Sequence, residues 1–334
     1  MLAGGLAAAA PAQAAYTTYG AIGAFYRAHA AALGVPTSAE HAGFHSRVQH
    51  FRNGSVYWSA STGAHWVHGG ILSAYRAQGG DTGKLGLPVT EELPTVGGGV
   101  YQQFSKGAVY WTRALGAHGT VGAIRSRYVK LGAEKGILGY PTSGEIKTTG
   151  YGQPVVYQRF QRGIVTWNGT VQNFNDLQAH EITGAIYNKV TALGGIPAVG
   201  SVFNGPERVP ASKWTFGVTD AVGQRFQRGL IISSAVTGTH LIPRWTGRYN
   251  NFSVDHWGLP VTDEFHEWSV PTVCFQYAYT RNWGNGEFGV WDRSSSMPSC
   301  VSRSPVTLPV NPPDYVPPAP LSSPTATPTA TATP

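Results

Sequence analysis

Leu85-Gly86-Leu87-Pro88-Val89-Thr90-Glu91-Glu92 is one of five spellings of a single phrase in this chain. Leu33-Gly34-Val35-Pro36 leads to Glu40, Leu138-Gly139-Tyr140-Pro141 to Glu145, and Trp257-Gly258-Leu259-Pro260 to Glu264. A worn copy, Val199-Gly200-Ser201-Val202, stands between the last two. Copies starting at 33, 85, 138, 199 and 257 make a tandem repeat, and a repeat must be recognised before any fold is assigned. A catalytic constellation is not expected to be spread evenly over such copies, whereas scaffolding and multivalent binding are.

Upstream of the phrase, Ile71, Ala74 and Tyr75 follow the helical spacing i, i+3, i+4, and Ile124/Arg127/Tyr128 and Ile22/Phe25/Tyr26 repeat it. Within the phrase, glycine permits positive φ at a bend and proline fixes the exit. Thr37 with Glu40, and Thr142 with Glu145, have the spacing of a capping box, so the recurring glutamate reads as a partner for backbone N–H groups beside its alternative reading as a ligand contact. Downstream come hairpins. Val48–Phe51 turns at Asn53-Gly54 into Val56-Tyr57-Trp58, and Tyr101–Phe104 turns at Lys106-Gly107 into Val109-Tyr110-Trp111. Tyr157–Phe160 and Gly223–Phe226 do the same, and Cys274–Tyr279 begins a degenerate fifth copy. Alternation puts Val56 with Trp58, Val109 with Trp111 and Val165 with Trp167 on one face, which is read as core. Tyr57 and Tyr110 point the other way. They serve either as platforms for sugar rings or as packing against the neighbouring unit.

Only 12% of the 334 residues are charged, against roughly 25% in an average chain, while Gly (43), Tyr (16) and Trp (10) are abundant. This is a turn-rich, aromatic composition that predicts a mainly β fold with short helices: five tandem helix–turn–hairpin repeats over about 20–68, 69–121, 122–183, 184–241 and 242–303. The net charge of +7 biases the surface toward anionic matrices, but no Lys/Arg cluster marks a nucleic-acid patch. Residues 1–19 read as a signal-peptide-like or disordered start, with a small-residue cleavage pattern at Ala12-Gln13-Ala14 and no basic n-region. No other stretch is apolar over the roughly 20 residues a membrane span needs. Residues 304–334 form a Pro/Thr/Ala-rich tail or linker. If the chain is exported, Cys274 and Cys300 are expected to form a disulfide; otherwise they are reduced and buried.

The Leu-Gly-x-Pro phrase, the Gln-x-Phe-x-x-Gly hairpin and the trailing Gly63-Ala64-His65 and Gly116-Ala117-His118 together resemble the LGFP repeat. The resemblance implies a secreted actinobacterial module associated with the cell wall, plausible partners being arabinogalactan or peptidoglycan. It also implies five units in one pseudo-symmetric, propeller-like closed module, and it carries no catalytic residues. Where copies four and five depart from it, at Val199–Val202 and Ile232-Ser233, a per-unit binding site is expected to be lost.

A search for enzyme chemistry finds no Gly-x-Ser-x-Gly elbow, no His-Glu-x-x-His (His180-Glu181 runs into Ile182-Thr183-Gly184) and no phosphate loop. Histidines 65, 118, 180 and 240 recur once per unit, which suits a repeated hydrogen bond better than a metal site, since zinc wants three or four ligands converging on one point. The paired acids Glu91-Glu92 and Asp263-Glu264 are adjacent after a turn, not opposed across a cleft as glycoside hydrolysis requires. The expectation is a non-catalytic module without cofactor or metal that binds cell-wall polysaccharide or peptidoglycan. Its candidate contacts are Tyr57, Tyr110, Glu40, Glu92, Glu145 and Glu264. Two alternatives stand: an accessory part of a cell-wall hydrolase or acyltransferase whose catalytic domain lies elsewhere, and a protein-interaction scaffold without glycan affinity.

Overall fold

The computed structural model describes residues 16–169, 179–209, 218–246, 258–267, 269–276, 278–282, 288–292 and 300. The leader-like run at 1–15 and the tail at 304–334 lie outside them. Two compact units divide the chain, residues 1–145 with 159–161 and residues 146–158 with 162–334. The division runs through the third sheet.

The first helix, α1 (Gly20–Leu33), precedes strands β1 (His41–Ala42), β2 (Arg47–Phe51), β3 (Gly54–Ser59) and β4 (Gly63–Val67). Helix α2 (Gly69–Ala77) precedes β5 (Leu93–Pro94), β6 (Val100–Phe104), β7 (Gly107–Thr112) and β8 (Gly116–Val121). Helix α3 (Gly122–Lys130) precedes β9 (Pro141–Gly150), β10 (Gln153–Phe160), β11 (Gly163–Trp167) and β12 (His180–Thr183). Helices α4 (Gly184–Ala192) and α5 (Ile196–Val199) precede β13 (Glu207–Arg208), β14 (Val222–Arg225), β15 (Gly229–Ser234) and β16 (Gly238–Pro243). The last strands are β17 (Phe265–Glu267), β18 (Val270–Cys274), β19 (Ala278–Asn282) and β20 (Phe288–Asp292). Each group of four strands is a separate meander in sequence order.

The bend at the phrase forms as its glycine predicts. Gly34, Gly86, Gly139, Gly200 and Gly258 all have φ between 70° and 77°, a region closed to most side chains. The bend lays the phrase along the hairpin. Pro36 bridges Phe51, Pro88 bridges Phe104, Val202 bridges Phe226 and Pro260 bridges Phe275. Backbone bonds fix that docking, with Ser105 N–H on the Leu87 carbonyl (2.8 Å) and Lys106 N–H on Leu85 (2.9 Å). The worn fourth copy keeps them, with Gln227 N–H on Ser201 and Arg228 N–H on Val199.

The propeller-like closed module expected from the sequence is not formed: the described strands make five separate open antiparallel sheets, none closed on itself or paired with another. The helices explain this. One core cluster takes Val48, Tyr57 and Val67 from the first sheet, Ile71, Leu72 and Tyr75 from α2, and Phe104 and Val109 from the second sheet. In the other unit a cluster joins Ile164 and Ile182, Ile186 and Val190 of α4, and Phe226, Ile231 and Leu241. In these two clusters the apolar side is completed by a helix lying between consecutive sheets, whereas Val209, Leu230, Ile232 and Ile242 of the fourth repeat pack directly on Leu259, Val273 and Phe275. The helices are not closed by side-chain caps: α1 to α4 start after Tyr19, His68, Val121 and Thr183 without one. The capping-box role expected of the recurring glutamate is thus absent, because Thr37 and Thr142 follow bends and do not open helices.

Candidate functional site

Tyr57 and Tyr110 lie inside the inter-repeat packing. They are 6% and 5% exposed. The Tyr57 ring meets Tyr75 edge-on at 5.3 Å, and Tyr110 meets Tyr128 in the same way at 5.5 Å. Burial raises the hydroxyl pKa of Tyr57 and pushes that of Tyr110 up to about 12. The helix tyrosines are anchored in turn: Tyr75 Oη donates to the Gly86 carbonyl and Tyr128 Oη to Gly139, both at 2.9 Å. Of the two readings open for Tyr57 and Tyr110, packing on the next unit is the one these contacts describe.

The recurring glutamates sit at the surface, Glu40 and Glu145 beside a cation. Glu40 pairs with Arg47 at 2.7 Å and Glu145 with Lys84 at 2.6 Å, while Glu264 is exposed. Glu92 lies 3.4 Å from His68 Nε2. Burial and the neighbouring Glu91 raise its carboxyl, and burial lowers His68, so both shifts favour neutral forms. The four recurring histidines do occupy one register position, opposite Tyr57, Tyr110, Thr166 and Ile232. In three of them Nε2 meets the carbonyl three residues back: His65 with Thr62 (2.8 Å), His118 with Leu115 (2.9 Å) and His240 with Thr237 (2.7 Å). A carbonyl can only accept, so Nε2 carries the proton in each. His65 Nδ1 also reaches Glu91 of the next repeat at 3.0 Å. Among the described residues no group of His, Cys, Asp and Glu is placed to hold a metal, and no helix is long and apolar enough to cross a membrane.

Two joints escaped the sequence reading. The glutamine of the Gln-x-Phe hairpin is fully buried and spans neighbours. Gln102 Nε2 donates to the Trp66 carbonyl on β4 (2.9 Å) and to Thr90 after the phrase (2.7 Å). Gln224 does the same to Glu181 and Asn204 at 2.7 and 2.9 Å. Second, an acid in the turn after the helix reaches back to the preceding sheet. Asp81 accepts from Phe44 N–H (2.6 Å) and Ser46 Oγ (2.7 Å), and Glu134 accepts from Thr95 Oγ1. The signal was available for the glutamine, which stands two residues before the hairpin phenylalanine in the first four copies, at 49, 102, 158 and 224.

The valine–tryptophan column splits along its length. Val56, Val109 and Val165 are fully buried, as expected. Trp58 and Trp111 are only partly covered and Trp167 is 36% exposed, so the outer end of this face, read as core from the sequence, reaches solvent. In the second repeat the indole lies directly over the start of α2: a Cβ on Gly70 would fall 2.6 Å from Trp111 Cδ1. The fourth repeat differs at this point. Trp111 pairs with Val100 and Ala117; the residue paired in the same way with Val222 and Thr239 is Ser233. A cavity of about 310 Å³ opens there, with Ile186 and Val222 among its apolar walls and Thr183, Asp220, Ser233 and Ser234 supplying polar groups. The Asp220 carboxylate is held in place by Ala235 N–H at 2.7 Å, and Ser234 Oγ by Thr237 N–H at 3.0 Å. The cavity falls where the sequence predicted loss of a site.

In the fifth copy, Cys274 and Cys300 form a disulfide with Cα atoms 5.8 Å apart, packed with Val261.

A family model described as LGFP repeat matches residues 33–83, 85–136 and 138–196. Each match begins on the first residue of the phrase and runs through the hairpins into the following helix. A search of curated proteins finds no match. Among solved structures, the extracellular domain of B. thetaiotaomicron BT3049, described as a hybrid two component system, aligns at 8% identity and a TM-score of 0.15, over 78% of this chain and 29% of that one. The extracellular domain of BT4673 from the same organism, described as a one component system, aligns at 13% identity and a TM-score of 0.14, over 81% and 28%. This chain thus spans less than a third of either structure, and likenesses at these scores do not bear on its fold. The phrase, its left-handed glycine, the docked hairpin and the family match coincide over the same residues: 33–196 are three LGFP repeats.

Proposed function

We propose that the chain is an exported, non-catalytic module that binds cell-wall polysaccharide or peptidoglycan. The observation that carries this reading is the recurrence of one incompletely covered tryptophan, Trp58, Trp111 and Trp167, at the same place in the three LGFP repeats. The uncovered part of an indole can pack against the apolar face of a sugar ring. Repetition once per unit makes weak contacts additive through effective concentration. The Cys274–Cys300 disulfide suits an oxidising compartment, and a net charge of +7 suits an anionic wall matrix. The test is co-sedimentation of the purified chain with isolated actinobacterial sacculi at physiological salt. The chain is expected in the pellet, and Trp167→Ala is expected to lower the bound fraction. Wild-type protein that stays in the supernatant overturns the reading.

A further inference from the structure

We propose that the cavity over Ser233 in the fourth repeat seats one sugar ring of the envelope saccharide. This rests on the glycan-binding reading above and adds to it a place and a stoichiometry. The fold itself shows what fits. In the second repeat the equivalent space is covered by a flat ring, the Trp111 indole against Gly70. In the fourth repeat both partners are short side chains, Ser233 and Ala185, and about 310 Å³ is open, at the lower end of the range for small-molecule sites.

The chemistry of the walls narrows the occupant. Ile186 and Val222 give an apolar surface, while Asp220, Ser233 and Thr183 line the same space with polar side chains, Ser233 Oγ lying 2.9 Å from Thr239 Oγ1. Asp220 is oriented by the Ala235 N–H, and a carboxylate has further lone pairs with which to accept from a ligand hydroxyl. Gly184 and Ala185, in the first turn of α4, which has no side-chain cap, also line the space. A sugar ring has the matching division, with an apolar C–H face and hydroxyls around its edge. An aromatic side chain from a protein partner would fill the volume but give the carboxylate at most one N–H or O–H to accept.

The experiment is a calorimetric titration of the full chain with two probes, an arabinan oligosaccharide and a peptidoglycan disaccharide-peptide, on wild type and Ser233→Trp. The substitution restores the residue found in the first three repeats. One probe is expected to bind wild type more tightly at the cavity than at the repeated tryptophans, and Ser233→Trp to weaken that tighter binding at least ten-fold while the thermal midpoint stays within a few degrees. Ser233→Leu is a smaller filler and decides the matter if the tryptophan variant does not fold. Equal binding by wild type and filled variants overturns the cavity proposal and leaves the sacculus-binding reading intact. The same holds if neither probe binds wild type while sacculi still retain it, or if a tryptophan-containing peptide and neither saccharide is excluded by the filler. Failure of both probes and of sacculus binding removes both proposals.

Discussion

Gln102 has no exposed surface, and its carboxamide donates to carbonyls on two different repeats. Gln102→Leu keeps the volume but leaves the Trp66 and Thr90 carbonyls without that donor. Losing two hydrogen bonds to part-buried carbonyls costs about 2 kcal/mol. A urea titration should show a lower midpoint by that amount, and an unchanged midpoint would mean that the staple does not stabilise the fold. Gly86→Ala tests the bend. With φ at 72° and an added Cβ only 2.2 Å from Ser105 Oγ, it should destabilise by more than about 1 kcal/mol in the same assay. The two residues differ in how readily sequence reveals them. The glycine could be read because its role is local: only a residue without Cβ enters that bend cheaply. The glutamine recurs in four of the hairpins, but one of its two partners sits on the preceding repeat, out of reach of any local pattern.

Between elements, Asp263 ties β16 to α4 by accepting from Leu241 N–H at 2.9 Å and from Lys189 Nζ. Burial alone would raise its carboxyl, but His240, Lys189 and the Leu241 N–H outweigh that and lower it to about 2. A carboxyl held below its unfolded value stabilises the fold above the unfolded pKa, near 4, and loses that contribution as pH falls through about 2. Because the side chain is 41% exposed, solvent screening reduces the contribution to about 1 kcal/mol. Asp263→Asn should therefore be less stable than wild type at neutral pH, with the gap closing between about pH 4 and 2. A gap independent of pH would refute this. The helices and hairpins themselves were readable, since Ile22, Ile71 and Ile124 are buried as their spacing required. The faces of the hairpins were harder. Period-two alternation separates two sides but does not say which is outermost, and helices lie against both sides of the strands at their inner ends. Tyr57 is therefore enclosed, while Trp58, one residue on, reaches the rim.

Across the repeats, stability should be local, because an array of units that touch only neighbours need not unfold together. The Cys274–Cys300 bond closes a separation of 26 residues and is worth about 3 kcal/mol on loop-entropy grounds. Cys300→Ser should raise hydrogen exchange in peptides covering β17 to β20 while leaving β2–β4 and β6–β8 protected. A uniform rise over the chain would show instead that the five sheets melt as one. Closure was the part that sequence misplaced: the repeat count predicts how many modules exist, and says nothing of whether strands of one module pair with those of another, which the described sheets do not. The glutamine joint has one more consequence. It grips main-chain carbonyls, which are the same in every residue, so it is indifferent to the side chains next door. A duplicated gene segment can therefore take its place beside a sibling, and a sibling can differ in its side chains, as the fourth does at Ser233, without loosening its hold on the line.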